Sequence, residues 1–485
     1  MTERLAVRDV RFYMRNVRTR MPFRYGVATL TSVPILHVLV DVEMEDGTLA
    51  VGAAADILPP KWFDKDPAKS YADNVDDLVF VARAAAAGYA GAPGSPASVF
   101  DIWQEGYAAT LAAGDGRSLN HLTSSHGSTL MERALIDAVG RARNRTYHEM
   151  LVAPDNPLGI DLGAVLPELA GVSHLEAVAR TPQASIAIRH TVGLADPLRD
   201  ADIPAADRLD DGLPQSLEAY LRVQGLRWLK VKVNGDLEAD MDRLRGIAAV
   251  VDLDGAGAVS ISLDGNEQYD ELASFAELLS RIEAELPAFY EAVHYIEQPL
   301  ERSVALDPAQ SAGIATVNSR KPMVIDESDG DLDAFARAVD LGYRGVSTKN
   351  CKGLFKALAN AALARRLTAE GEGRMFFLTG EDLMNLPVVP VHQDLTHVAA
   401  LGITHVERNG HHYVRGIDHL SPGERRTLLV EHAGMYRADG DSGFLNVEQG
   451  AIDIRSLQRP GLGSGDNVDT GAVTPLDDWT FDSLT

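Results

Sequence analysis

Short apolar segments that end in a charged residue recur through the middle of the chain. Each is rich in β-branched or aromatic residues and closes on a turn signal, which predicts a strand. Stretches with apolar residues at helical spacing separate these segments and predict helices. The five segments are WLKVKVNGD (Trp228–Asp236), VSISLDGNEQY (Val259–Tyr269), VHYIEQPL (Val293–Leu300), VIDESDG (Val324–Gly330) and GVSTKNCKG (Gly345–Gly353).

The charged residues at these predicted strand ends recur about once per strand–helix unit. From Lys232 to Asp264, Glu297, Asp326 and Lys349 the successive gaps are 32, 33, 29 and 23 residues, and one unit takes roughly 30 residues. In a (β/α)8 barrel the C-terminal strand ends meet at one mouth, where catalytic groups lie. A single charge at a strand end is most often solvated, but five in matching positions favour a functional site at that mouth.

The flanking patterns predict an α/β protein with a modified (β/α)8 barrel and an α+β capping domain. Residues 1–180, which begin with antiparallel sheet, are the predicted cap, and Met21–Gly26 is predicted as a loop. Residues 181–420 are the predicted barrel, with Ala184–Val192 as its first strand, Arg374–Thr379 as its seventh and Gly402–Val406 as its eighth. Residues 421–485 are predicted to pack on the cap and end in a tail.

Charge and composition narrow the class of partner. The net charge of -25 and the pI of about 4.9 argue against binding to nucleic acid or an anionic membrane. The single cysteine, Cys351, excludes an internal disulfide framework, and the N-terminus lacks the apolar core of a signal peptide. We therefore expect a cytoplasmic protein that binds neither nucleic acid nor membrane. A homo-oligomeric state and a small-molecule carboxylate as partner are further expectations, which charge and composition do not decide.

Three carboxylates and three lysines at one barrel mouth indicate a particular chemistry. Asp264, Glu297 and Asp326 would supply the oxygen ligands that Mg2+ prefers, and Mn2+ is a possible substitute. A divalent ion on a substrate carboxylate stabilises the ene-diolate that forms when the neighbouring proton leaves. Lys230 and Lys232 share one strand face, so each would lower the pKa of the other and help one to act as a base.

These motifs together resemble the enolase superfamily, and specifically the muconate-lactonizing-enzyme-like branch of the mandelate racemase/muconate lactonizing enzyme family. The resemblance covers roughly residues 20 to 465. It includes the ALIDAVGRA segment in the predicted cap, while Asn350–Leu354 lacks the family's more usual double glycine. The matching motifs are Lys230-Val231-Lys232, Asp264-Gly265-Asn266, Glu297-Gln298-Pro299, Asp326-Glu327-Ser328 and Lys349.

The resemblance implies a role for each matching residue. Asp264, Glu297 and Asp326 would bind Mg2+, with Lys232 as the acid/base on one face of the substrate. Lys349 would be the acid/base or cation-stabilising group opposite, although Lys352 competes with it for that role. Lys230 would assist Lys232 and contact the substrate carboxylate. The residues expected to support the site or contact the substrate are Asn266, Glu327, Glu381, Phe23 and Tyr25.

Several functions fit this pattern. The first is α-proton abstraction from a carboxylate, with racemisation, epimerisation, cycloisomerisation or elimination as the outcome. The second is acid-sugar dehydration, which needs a general acid and could take it from a cluster of histidines. The third is a barrel that binds metal and ligand without turnover. We interpret the clustered histidines as loop residues and supporting residues rather than as a second metal site; they are His392, His397, His405, His411 and His412.

Overall fold

An antiparallel sheet backed by helices forms the N-terminal part of the chain. The computed structural model describes residues 2–26, 28–91, 96–253, 257–371, 373–465 and 468–484. The strands are β1 (Leu5–Tyr25), β2 (Ala28–Met44) and β3 (Leu49–Ile57), which pair in that order. The helices are α1 (Tyr71–Ala90), α2 (Val99–Asp115), α3 (His121–Arg143), α4 (Tyr147–Val152) and α5 (Leu162–Val165).

Helix α3 lies directly against β3. A Cβ atom placed on Gly52 would lie 1.8 Å from the carbonyl oxygen of Ala134, so this close approach requires glycine. Asn120 caps the start of α3 by accepting a hydrogen bond from the Thr123 backbone N–H, and Asn144 ends the helix in the left-handed region at a φ of 51°. The sheet is therefore buried under the helices on this side.

The prediction of a loop at Met21–Gly26 is wrong for most of its length. These residues continue β1 as far as Tyr25 and pair with β2. A register shift between Arg18 and Phe23 interrupts the pairing before this last segment. The shift lets β1 run on past the end of the regular sheet, where Phe23 and Tyr25 reach the site described below.

Eight parallel strands close into a barrel, which confirms the predicted fold class. Each strand pairs with the next, and the last pairs with the first. The eighth strand begins at His405, three residues later than its predicted start at Gly402. The strands are β4 (Ser185–Val192), β5 (Trp228–Lys232), β6 (Ser260–Asp264), β7 (Val293–Glu297), β8 (Met323–Ile325), β9 (Gly345–Thr348), β10 (Phe377–Gly380) and β11 (His405–Arg408).

Helices cover the outside of this barrel, as the alternating pattern predicts. Their apolar faces pack on outward-facing strand residues such as Leu229, Val231, Ile261 and Leu263, all of which are buried. The helices are α6 (Leu217–Gln224), α7 (Leu237–Ala248), α8 (Leu272–Glu285), α9 (Pro287–Ala292), α10 (Ser311–Asn318), α11 (Ala334–Leu341), α12 (Leu354–Glu370) and α13 (Val389–Leu401).

The C-terminal segment contacts both the barrel and the N-terminal sheet. Strand β14 pairs with β4 beside the barrel, whereas β15 pairs with β1. The domain limits at residues 180 and 420 stay a prediction. Among the described residues, no helix combines the length and apolar character needed to cross a membrane. The remaining elements are α14 (Gly410–Tyr413), α15 (Pro422–Glu431), β12 (Tyr436–Asp439), β13 (Ser442–Leu445), β14 (Ala451–Asp453) and β15 (Thr474–Pro475).

Candidate active site

The register of the barrel strands places predicted site residues side by side. Lys232 on β5 is the cross-strand partner of Asp264 on β6, and Asp264 is the partner of Glu297 on β7. Asp326 and Lys349 follow directly after β8 and β9. The structure therefore brings all five residues to the C-terminal mouth of the barrel, as the strand-end pattern predicts.

Lys230 lies one layer deeper, where its ammonium group faces four carboxylates. Its Nζ is 3.0 Å from Asp264 Oδ2, 2.7 Å from Glu297 Oε1, 2.9 Å from Glu381 Oε2 and 3.1 Å from Glu407 Oε2. Burial alone would lower the pKa of Lys230, but these carboxylates outweigh burial and raise the pKa well above its ordinary value. The expected lowering by a neighbouring lysine does not prevail here, and Lys230 is a buried counter-ion.

Two further lysines approach the mouth from different strands. Lys232 Nζ donates to Asp264 Oδ2 at 2.5 Å, and Lys349 Nζ donates to Asp326 Oδ2 at 2.6 Å. Because β5 and β9 are four positions apart in a ring of eight strands, their ends lie across the barrel from each other. Burial alone would lower the pKa of Lys349, but Asp326 raises it above its ordinary value.

The structure also separates Lys349 from its competitor, Lys352. Lys349 lines a small enclosed cavity at the mouth together with Lys232. The ammonium group of Lys352 instead donates to the carbonyl oxygen of Asp326 at 2.6 Å and to Ser347 Oγ at 2.7 Å, and it lies 2.9 Å from Asp326 Oδ1. Lys352 therefore fixes the position of Asp326, whereas Lys349 is placed to meet a ligand.

Asn266 and Glu327 connect the loops that follow β6 and β8. The Asn266 backbone N–H donates to Asp264 Oδ1 at 2.8 Å, and its side-chain amide donates to Glu327 Oε1 at 2.8 Å. Burial, followed by the charges of Asp326 and Glu267, raises the pKa of Glu327 to about 7. Asn266 therefore holds the carboxylate of Asp264 and Glu327 holds Asn266, while their supporting role in catalysis stays a prediction.

The N-terminal sheet and its following loop close the mouth of the barrel. Phe23 and Tyr25 line the cavity, with their ring centroids 4.9 Å apart, and Tyr25 donates a hydrogen bond to the carbonyl oxygen of Pro60. Trp62 lies against Lys349, whose Nζ is 4.4 Å from the ring centroid. The cavity volume is about 40 Å³, well below the roughly 300 Å³ or more of a typical ligand site, so we expect these cap residues to shift when a substrate binds.

A cluster of charged residues holds this cap loop to the barrel. Arg302, which follows β7, donates to the carbonyl oxygens of Phe63 at 2.8 Å and Trp62 at 2.9 Å. The same guanidinium is paired with Glu267 at 2.8 Å, and Lys65 of the cap loop also contacts Glu267. The position of Trp62 over Lys349 therefore depends on Arg302.

The carboxylates at the mouth supply the oxygen ligands that hard divalent cations prefer. Glu297 Oε2 is buried with no hydrogen-bond partner, and burial followed by the charges of Asp264 and Glu381 raises the pKa of Glu297 well above its ordinary value. An added cation would relieve that repulsion, so the residues fit Mg2+. Among the described residues, however, no three His, Cys, Asp or Glu side chains stand in an arrangement that holds a metal ion.

Lysine side chains explain why these carboxylates do not stand in an arrangement that holds a metal ion. Asp264 Oδ2 accepts from Lys232 and lies within 3.0 Å of Lys230, while both oxygens of Asp326 face Lys349 or Lys352. The strand ends are therefore already neutralised by ammonium groups. A metal ion that binds here must displace some of these lysines from their carboxylates.

The five histidines singled out from the sequence do not form one cluster. His392 and His397 are in helix α13, where they contact the hydroxyl groups of Tyr436 and Tyr147. His405 stacks on Trp228 with ring centroids 3.8 Å apart, and only His411 and His412 are near neighbours. Burial lowers the pKa of all five. They lie mainly on helices and a strand, not in loops, and none lines the cavity.

Sequence reasoning named Glu381 but missed Glu407. Glu381 lies inside the barrel, where it contacts Lys230 and Arg189. Glu407 lines the cavity and accepts hydrogen bonds from Lys230 and the hydroxyl of Thr191. The expectation that site residues lie at the C-terminal ends of barrel strands would have identified Glu407 if the eighth strand had been predicted at His405–Arg408. No sequence signal marked Trp62.

Comparison with known proteins supports the fold assignment. No family profile matches the sequence, and neither does any curated protein. Among solved structures, a dipeptide epimerase from Cytophaga hutchinsonii, complexed with Mg and D-Ala-L-Val, matches with a TM-score of 0.58 and 16% identity over 98% of each chain. The chain has the enolase-superfamily fold.

Two further structures extend this result. An enolase from Bradyrhizobium, complexed with magnesium and mandelic acid, has a TM-score of 0.57 and 17% identity over 97% of this chain and 98% of that one. A 2-chloromuconate cycloisomerase from Rhodococcus opacus 1CP has a TM-score of 0.58 and 16% identity over 96% of this chain and 98% of that one. At these identities the comparisons establish the fold, and they agree with the resemblance drawn from the motifs.

Proposed function

We propose that this protein is a Mg2+-dependent enzyme of the enolase superfamily that removes the α-proton of a carboxylate substrate. The observation that supports this most strongly is the position of Lys232 and Lys349, which lie across the barrel from each other and line one cavity. The solved structures with the same fold include epimerases and cycloisomerases, some of them complexed with magnesium. A racemase, epimerase, cycloisomerase or lyase outcome follows the same first step.

Each residue has a defined task in this proposal. Asp264, Glu297 and Asp326 would hold Mg2+, which would stabilise the negative charge that develops on the substrate carboxylate. Lys232 takes the α-proton on one face of the substrate. Lys349, whose raised pKa keeps it protonated, donates a proton or stabilises charge on the other face.

Lys230 acts through its neighbours in this scheme. Its ammonium group is engaged by four carboxylates, so we assign it the task of fixing Asp264 and Glu297 rather than contacting substrate. Trp62 and Phe23 cover the mouth and exclude water when the cap closes.

Exchange of the substrate's α-hydrogen with solvent tests the assignment of Lys232. A panel of carboxylates is incubated in D2O with Mg2+, and deuterium uptake is followed by mass spectrometry. We expect Lys232→Ala to abolish exchange while calorimetric Mg2+ binding is retained. Lys321→Ala is the control, because this lysine precedes β8, away from the mouth, lies over the ring of Tyr290 and does not line the cavity. Retained exchange in Lys232→Ala would rule this lysine out as the base.

A further inference from the structure

Besides its lysines and other polar residues, the cavity at the barrel mouth is lined by six large apolar side chains. They come from three separate parts of the chain: the end of β1 with the start of β2, the end of β3 with the loop after it, and the loop after β10. All of them are buried. The set comprises Phe23, Leu30, Ile57, Trp62, Leu383 and Met384.

The polar groups of the same cavity are almost all occupied within the protein. The Tyr25 hydroxyl donates to the carbonyl oxygen of Pro60, and Asp382 accepts hydrogen bonds from the backbone N–H groups of Asn385 and Asn409. Among the described lining residues, the buried side-chain oxygens without a partner are Asn266 Oδ1 and Asn409 Oδ1. Apart from the lysines and the carboxylates, which are already paired within the protein, the described wall therefore leaves only these two side-chain oxygens unpaired, few for a ligand that carries a chain of hydroxyl groups.

We propose that the site takes carboxylates whose α-carbon carries an apolar group, aromatic or aliphatic, and discriminates against polyhydroxylated acids. The inference rests on the proposed function for the position of the α-carbon, between Lys232 and Lys349. The apolar wall determines the rest of the ligand. Each buried hydroxyl left without a partner weakens binding about 10-fold or more. Burial of an apolar side group of the size of a Leu or Phe side chain strengthens binding by about the same factor.

A matched pair of ligands tests the preference by binding alone. 2-Phenylpropionate and a pentonate have the same number of non-hydrogen atoms, so the cost of moving the cap is similar for both. Dissociation constants are measured by calorimetry on the full chain with Mg2+ present. We expect 2-phenylpropionate to bind about 10-fold more tightly or better. Equal binding, or tighter binding of the pentonate, would overturn the proposal.

Substitution of Met384 tests whether this wall is responsible. Met384 has a φ of 51°, in the left-handed region that asparagine adopts readily, so Met384→Asn introduces an amide with little backbone strain. We expect Met384→Asn to reduce the preference for 2-phenylpropionate about 10-fold, whereas the control Met384→Leu keeps it. An unchanged preference in Met384→Asn would show that the wall does not select the ligand.

Deuterium exchange on the same two ligands separates this proposal from the one on which it rests. Exchange of the pentonate without exchange of 2-phenylpropionate overturns the substrate class and leaves the proposed function standing. Tighter binding of 2-phenylpropionate with no exchange of either ligand supports the apolar preference and contradicts the proposed function. Faster exchange of 2-phenylpropionate supports both.

Discussion

Lys230 provides the most demanding test of how the barrel mouth is held together. Lys230→Met keeps most of the side-chain volume but removes the ammonium group that lies 2.7 Å from Glu297 Oε1 and within 3.1 Å of three other carboxylates. Removing one partner of a buried ion pair costs about 3–5 kcal/mol. Because four carboxylates lose their shared counter-ion here, we expect the free energy of unfolding to fall by at least about 3 kcal/mol.

Urea unfolding followed by circular dichroism measures this loss. With a denaturant slope of about 3 kcal/mol/M, the midpoint in metal-free buffer should fall by about 1 M. The uncompensated carboxylates of Lys230→Met should then bind Mg2+ more tightly than those of the unmodified protein. At 100 times its dissociation constant, a ligand of the folded state adds about 2.7 kcal/mol, so added Mg2+ should recover most of the loss.

Lys356→Met is the matched control. Lys356 is also buried, but its ammonium group is paired with the single carboxylate of Asp329, at 2.9 Å. We expect a smaller loss of stability in this variant and no recovery with Mg2+. If Lys230→Met unfolds at the same urea concentration as Lys356→Met, or if Mg2+ stabilises both variants equally, then Lys230 is not the shared counter-ion of the site.

Three further predictions concern the cap and its contacts. Arg302→Lys should speed amide hydrogen exchange in the loop at residues 62–65 about 10-fold or more, because a lysine lacks the planar fork with which Arg302 donates to both carbonyl oxygens there. Burial raises the pKa of Glu132 to about 8, so the folded state favours the protonated form. The free energy of unfolding should therefore fall by about 1.4 kcal/mol per pH unit between about pH 4.5 and 8. In Glu132→Gln, the urea midpoint should not show this decrease with pH. Gly52→Ala should destabilise by about 3 kcal/mol because its Cβ would overlap Ala134. The control Gly423→Ala, whose Cβ would meet nothing nearer than Ser421 Oγ at 3.7 Å, should not destabilise in the same assay.

The barrel mouth could be predicted because strand ends obey a simple rule. Lys232, Asp264, Glu297, Asp326 and Lys349 recur once per unit, and parallel strands bring their C-terminal ends together whatever the lengths of the helices between them. This reasoning failed only where the bounds of the strand were predicted wrongly. Because the eighth strand was predicted at Gly402–Val406, Glu407 lay outside it and was not predicted as a site residue.

The contacts between charges could not be predicted in the same way. The sequence shows that Lys230 and Lys232 share a face, which suggested mutual lowering of their pKa values. The structure surrounds Lys230 with carboxylates from β6, β7, β10 and β11, two of which were not expected there. A pKa depends on the sum of all nearby charges, and that sum is known only when every strand end is in place.

The cap was harder still, because its contribution depends on chain segments that are distant in sequence. Phe23 was predicted to lie in a loop, but a register shift in β1 carries it as a strand residue to the mouth of the barrel. Trp62 reaches Lys349 from a cap loop whose backbone is bound by Arg302, a residue of a barrel loop that is distant in sequence. Local sequence patterns describe neither event.

The site therefore divides its tasks between two parts of the chain. The barrel supplies every ionisable group that the proposed chemistry uses, and these groups are fixed by strand register and by one another. The end of β1, the start of β2, the end of β3 with its following loop, and the loop after β10 supply apolar surface. This surface makes no contribution to proton transfer. It follows that a conservative change at Leu383 should alter KM for different carboxylates while leaving the ratio of exchange to product formation unchanged. A change at Lys349 should alter that ratio first, because this lysine decides what happens on the second face of the substrate.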